Sequence, residues 1–235
     1  MARAPAQTPP TEGVAAVERA LTIVEALARC GGPITLADLS RATEFYKSTL
    51  LRLLVTLEQA ALVVRLSDGR YALGPYALRL GRAYDASHHL TEVIQPILQN
   101  LVDQGTESAS FHVYHNATSR VCLLRIDSHH STLDHIRAGD LLPLDRGAAG
   151  KILTAYQNGQ ASGKRPLLLV SMGERDPNCA AVACPVFGTG NEIAGALSLS
   201  GPKERYTPTA LKKMSKLLQQ AAINATRTLG GHWPG

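Results

Sequence analysis

The chain has 235 residues, 45% of them hydrophobic and only 5% aromatic, with a net charge of +5 and a pI near 9.1. That length holds two domains or one large one, with cores built from Leu, Val, Ile and Ala. No stretch approaches the roughly 18 apolar residues of a membrane span. Residues 1–13 are polar and Pro-rich with no apolar run, so the reading is a cytoplasmic protein without a membrane partner. Its four cysteines, Cys30, Cys122, Cys179 and Cys184, are then reduced thiols, and their spacing does not suit structural zinc.

The charge is unevenly spread. Between residues 46 and 82, Lys47, Arg52, Arg65, Arg70, Arg79 and Arg82 are set against only Glu58 and Asp68. The longer remainder, 83–235, is nearly balanced. A local cationic excess of this kind is the usual footprint of phosphate binding.

In chain order, 1–13 is expected to be a disordered tail. Val17, Leu21, Val24, Leu27 and Ala28 then recur at helical spacing until Gly31-Gly32-Pro33 ends the helix. Thr35 is a good N-cap for a second helix at 35–43, with Asp38 completing a capping box and Leu36, Leu39 and Ala42 on its apolar side. After a break at 43–45, a third helix is expected at 46–60 with Leu50, Leu53, Leu54 and Leu57 as its buried stripe. Two short strands, 62–66 and 70–73, flank Ser67-Asp68-Gly69, a strong hairpin signal. Three helices followed by a hairpin is the order of a winged helix-turn-helix, here 14–75, with a linker helix at 76–88.

The second domain, 89–235, opens with a helix at 90–104. Strands are expected at 110–115, 121–126 and 133–136, followed by the segment 141–144 and a small-residue helix starting at Gly147. A polar loop at 157–166, strands at 167–171, 180–187 and 193–199, and a last helix at 207–229 complete it. The fold class is α+β, with a central antiparallel sheet flanked by helices.

Two helices joined by a three-residue turn can present the second one to a major groove. Its outward face carries Lys47, Ser48, Thr49 and Arg52. Hydroxyls and free N–H groups at a helix start suit phosphate, and Arg52 can reach a guanine edge with two hydrogen bonds. Thr35, at the start of the preceding helix, joins this set, and the hairpin adds Arg65 and Arg70. The expected partner is double-stranded operator DNA.

The sequence also resembles the IclR family of bacterial regulators. The likeness runs through VERALTIVEAL (17–27), GGPITLADLSRAT (31–43), YKSTLLRLLVTLEQAALV (46–63) and DGRYALGP (68–75). It continues through LPLDRGAAGK (142–151), ACPVF (183–187) and ALSLSGP (196–202), so it covers the chain from about residue 14. Tyr46 stands where the family usually has Pro, and Glu44-Phe45 where it has Gly-Leu, while Lys47, Ser48 and Thr49 match. The resemblance implies a winged helix joined to a GAF-like effector domain, a homodimer or dimer of dimers, and DNA affinity tuned by a small metabolite such as an organic or aromatic acid. No cofactor or metal is implied. The family's longer helical insertion after the GAAGK helix is replaced here by a short polar loop.

Carried over by motif, the effector site includes Gly147, Ala148 and Ala149, whose backbone N–H groups suit a carboxylate-bearing ligand. Ser198 and Ser200, two apart on one strand, share a face, and Ser171 and Ala181 fall at matching cavity positions. The histidines 112, 115, 129, 130 and 135 are read as solvent-facing strand and turn residues rather than metal ligands. An enzyme finds no support, because G-x-S-x-G, H-E-x-x-H and P-loop motifs are missing and the acids of GERDP (173–177) face no evident base. The main alternative is a DNA-binding protein whose C-terminal domain only dimerises; a hydrolase is the remote one.

Overall fold

A computed structural model describes residues 13–157 and 165–234. The expected tail, apart from Gly13, and most of the expected loop at 157–166 lie outside the described residues. The chain divides into two compact units, 1–87 and 88–235.

The first unit contains α1 (Ala15–Cys30), α2 (Leu36–Thr43), α3 (Lys47–Gln59), the hairpin strands β1 (Val63–Arg65) and β2 (Tyr71–Leu73), and α4 (Pro75–His88), which ends at the boundary. Ile23, Ala26 and Leu27 of α1, Leu39 of α2, and Leu50, Leu54 and Leu57 of α3 form one core with Val63 and Tyr71 of the hairpin. Gly31 ends α1 in the left-handed region, at φ 65°, where a glycine carries no Cβ penalty. Thr35 caps α2 as its spacing implies: its Oγ1 accepts from the Asp38 N–H at 3.2 Å and donates to the Asp38 carboxylate at 2.6 Å. β1 and β2 pair antiparallel in the register Val63↔Leu73 to Arg65↔Tyr71.

The second unit is a six-stranded antiparallel sheet with strand order β5-β4-β3-β8-β7-β6. Its strands are β3 (Ser108–Tyr114), β4 (Ser119–Ile126), β5 (Leu141–Pro143), β6 (Leu169–Met172), β7 (Cys179–Phe187) and β8 (Ile193–Pro202). Its helices are α5 (Leu90–Asp103), α6 (Ala148–Ala155) and α7 (Pro208–Thr228). α5 and α7 cover one face, where Ala109, Phe111, Val182, Leu197 and Leu199 meet Ile94, Leu98, Met214 and Leu218. α6 packs on the other face through Ile152, Leu153 and the following Tyr156 against Ala183, Phe187 and Ala196.

The strand expected at 133–136 does not form. At that height the outer edge of β4 is taken by a turn instead: Cys122 donates to the Asp140 carbonyl and accepts from the Gly139 N–H. Residues 127–140 run as an irregular strap held by side chains. Arg125 pairs with Asp134 and Asp127. Arg205 holds Glu107 with two bonds of 2.6 and 2.7 Å and donates to the Thr132 carbonyl at 2.8 Å. Among the described residues, no helix is long and apolar enough to cross a membrane.

The two faces of this sheet differ in chemistry. Along β3 and β8, small polar residues alternate with apolar ones, and both sets are buried. The apolar set (Ala109, Phe111, Leu197, Leu199) meets α5 and α7. The polar set (Ser108, Ser110, His112, Ser198, Ser200) lies on the opposite face, toward the strap and the start of α6.

Candidate functional site

In the first unit, Lys47 and Ser48 form the exposed first turn of α3 and Arg52 is exposed one turn later; Thr49 is half-buried. The turn before α3 runs through Glu44, which takes the left-handed conformation at φ 59° without a glycine. Ser40 holds that turn by donating to the Phe45 carbonyl at 2.6 Å. Tyr46 is 84% exposed and gives α3 no side-chain cap, and no acid sits in its first turn. The first N–H groups of α3 are therefore left to a negatively charged partner.

The wing arginines differ. Arg70 folds back onto Asp68, 2.7 Å away, so its charge is neutralised within the hairpin. Arg65 lies over the Tyr71 ring at 5.7 Å and makes no ion pair among the described residues. Thr35 is spent on its capping box. Sequence reasoning missed Arg19 of α1, which shares a shallow groove with Thr49, Arg52 and Thr56. Arg19 lies between Ala16 and Ala20 on the helix and is exposed, and its position on the polar side of α1 was the available signal.

In the second unit, all seven residues expected around an effector line one cavity of about 30 Å³: Gly147, Ala148 and Ala149 at the start of α6, Ser171 of β6, Ala181 of β7, and Ser198 and Ser200 of β8. The ladder explains this. Ser171 is paired with Ala181, Ala181 with Ser200, and Ser198 with Ser110, so the set crosses the sheet in adjacent rows. His112, Arg120, Arg175, Asp176 and Ile136 complete the lining and were not anticipated. The reading of His112 as solvent-facing is corrected: it is 2% exposed, while His115, His129, His130 and His135 are exposed. Its signal lay in the alternation Ser108-Ala-Ser110-Phe-His112, which puts the histidine in the serine row.

The cavity is polar and incompletely satisfied. His112 Nε2 shares a hydrogen bond with Ser110 Oγ at 2.9 Å, but His112 Nδ1, Arg120 Nε and Ser200 Oγ are buried without a protein partner. Buried polar atoms of native proteins are normally bonded. Burial first, and then the charges of Arg120, Arg125 and Arg175, hold the His112 imidazole well below its usual 6.5. Glu174 sits at the rim; its carboxylate accepts from Lys151 and the Gly147 N–H, and the Lys151 bond first of all holds it below the usual carboxylate range.

A larger groove of about 690 Å³ runs between α5 and α7, lined by Val93, Ile97, Leu217 and Ala221 among others. None of the unsatisfied buried atoms lies along it.

A depressed histidine makes stability depend on pH. The unfolded chain binds a proton near pH 6.5 that the folded chain refuses, so the contribution is complete above about pH 6.5 and is lost as pH falls below it. The thermal midpoint of the wild-type chain should fall between pH 7.5 and 5.5 more steeply than that of His112→Gln, with parallel curves above pH 7. Parallel curves throughout would show that His112 is not held neutral.

Comparison with known proteins finds a domain match in each unit. Residues 16–67 match the IclR helix-turn-helix domain, and residues 168–227 match the bacterial transcriptional regulator IclR C-terminal domain. The chain is 24% identical to the transcriptional repressor IclR of Escherichia coli strain K12, over 96% of this chain and 94% of that protein. It is 27% identical to the HTH-type transcriptional regulator BhcR of Paracoccus denitrificans, over 89% and 85% of the two chains. Among solved structures, an IclR transcriptional regulator from Silicibacter sp. TM1040 is similar with a TM-score of 0.76 at 24% identity, covering 93% of this chain and 98% of that one. An IclR homolog from Microbacterium hydrocarbonoxydans, crystallised with 4-hydroxybenzoate, gives a TM-score of 0.75 at 17% identity, covering 92% and 99%. A helix-turn-helix unit with an open α3 start, followed by this six-stranded unit, puts the chain in the IclR family of DNA-binding transcriptional regulators.

Proposed function

We propose that the chain regulates transcription by binding operator DNA through α3 and the wing, and that a carboxylate-bearing small molecule in the second unit modulates that binding. It performs no catalysis in this reading. The observation that carries the ligand half is the cavity: seven residues converge on it, and three buried polar atoms around it lack partners. A small molecule supplies what the protein withholds. The coupling is linkage, so effector and operator must change each other's affinity by the same factor.

The DNA surface is Lys47, Ser48, Thr49, Arg52 and Arg65, with Arg19 beside them. Arg52→Ala should weaken binding to a duplex selected from a random pool by about 5- to 150-fold, the range of one bidentate base contact. Arg65→Ala should cost more than Arg70→Ala, because Arg70 is already committed to Asp68. Unchanged affinity in the Arg52 variant would remove α3 from the groove.

For the ligand, a thermal-shift screen of organic and aromatic acids should find compounds that raise the melting temperature, since binding to the folded state alone stabilises it. The same compounds should then alter operator affinity. Stabilisers without any effect on DNA binding would contradict the coupling.

One winged helix covers half of a two-fold operator, which argues for a homodimer or a dimer of dimers. An exposed apolar stripe at the start of α1, Val17 and Leu21 with the preceding Val14, supports the same reading. Sedimentation should give a mass at least twice the 25.1 kDa of the chain; a monomer at micromolar concentration would refute it.

A further inference from the structure

The outward face of α3 is not wholly polar. Ser48, Leu51, Arg52, Val55 and Gln59 are all exposed and recur at intervals of three and four residues, so they share one side of the helix. Leu51 is 45% exposed and Val55 55%. Neither joins the core of the first unit, which takes Leu50, Leu53, Leu54 and Leu57 from α3. They stand one turn apart, with Arg52 between them in the chain, on the surface that α3 offers to DNA.

Single exposed aliphatic residues are ordinary on a protein surface. This pair is distinguished by its place. Valine is β-branched and loses side-chain freedom in a helix, so local helix stability does not favour it at an exposed position. Phosphate contact does not favour it either, because an aliphatic side chain carries neither charge nor donor. The side of α3 toward α1 has a different chemistry. There Thr49, Arg52 and Thr56 border a groove with Arg19, and hydroxyls and guanidinium groups suit the sugar–phosphate backbone. The outward surface is therefore divided, with cations and hydroxyls toward α1 and an apolar pair beside Arg52.

The major groove displays one apolar group, the C5-methyl of thymine, and apolar side chains contact it. Arg52, on the same face, is the side chain suited to a guanine edge. From Leu51 to Val55 the helix rises about 6 Å, while stacked bases step by about 3.4 Å. The pair thus spans neighbouring base steps rather than a single base.

We infer that Leu51 and Val55 are specificity-determining residues that read thymine methyl groups in the major groove, at base pairs adjoining the one met by Arg52. The inference rests on α3 being the helix that enters the groove. It adds part of the sequence which that helix selects: a guanine with thymine within about two base steps.

The test uses the full-length chain and a duplex selected from a random pool. The guanine met by Arg52 is the one whose substitution no longer costs affinity in Arg52→Ala. Each thymine of the selected site is then replaced singly by deoxyuridine, which removes the methyl and keeps the base pair. At thymines adjoining that guanine, deoxyuridine should weaken binding about three- to fivefold, the worth of one buried methyl. Leu51→Ala or Val55→Ala should abolish the penalty at its own thymine, whereas Arg52→Ala should keep it. Both side chains are exposed, so the melting temperatures of the two alanine variants should stay close to wild type. Deoxyuridine without effect at every thymine, or a penalty undiminished in both variants, would overturn the inference while leaving α3 in the groove. A lower sedimenting mass for Leu51→Ala with unchanged methyl dependence would give the face to a second copy of the chain and overturn it too. Arg52→Ala binding the selected duplex as tightly as wild type would overturn the reading of α3 itself.

Discussion

Both faces of the central strands β3, β7 and β8 are buried, but only the face under α5 and α7 is apolar; the other is apolar beneath α6 and polar along Ser108, Ser110, His112, Ser198 and Ser200. That constraint organises the second unit. Apolar burial against α5 and α7 supplies the driving force that holds β3, β7 and β8 together. Because side chains alternate along a strand, the same ladder lines up serines, His112 and Arg120 on the other face. These groups cannot be packed against hydrocarbon without loss. The chain instead roofs them with a strap tied by Arg125–Asp134 and Arg205–Glu107, and with a glycine-bounded helix start. What remains beneath is a small polar space whose hydrogen-bonding groups are not all matched by protein.

The first unit depends on a different incompleteness. α2 closes its own N-terminus with Thr35 and Asp38, whereas α3 leaves its first turn uncapped, basic and exposed. The core leucines on the inner side of α3 fix that turn outward. In both units the element argued to bind a partner is one whose polar groups the protein leaves open. In both, a rigid apolar core on the opposite side holds it in place.

Much of this was legible in the sequence. Period-3.6 leucines gave α1 to α3, and Ser-Asp-Gly marked the hairpin. The Ser198 and Ser200 pair pointed to a polar strand face. The motifs at Gly147, Ser171 and Ala181 converge because strand pairing brings distant segments into neighbouring rows, and the family resemblance supplied that pairing indirectly. Arg120 and Arg175 were not legible, and His112 only through its place in the serine row. Arg120 reads as an ordinary polar residue until the ladder sets it under the strap, and Arg175 reaches the cavity from the turn between β6 and β7. The strand expected at 133–136 failed for the same reason. Leu133 and Ile136 bound the segment but, three apart, fall on opposite faces of a straight strand; Asp134 between them is drawn to Arg125, and the edge of β4 is already engaged by Gly139 and Asp140. Local pattern cannot report a side-chain pair formed across nine residues.

The central claim is that the space under the strap, and not the larger α5–α7 groove, receives the ligand. Amide hydrogen exchange of the full-length chain, with and without a stabilising acid, tests it most directly. Ligand in the cavity should slow exchange in the strap at 127–140, the loop at 173–178 and the first turn of α6, and leave the facing surfaces of α5 and α7 unchanged. Protection confined to α5 and α7 would place the site in the groove and contradict the account.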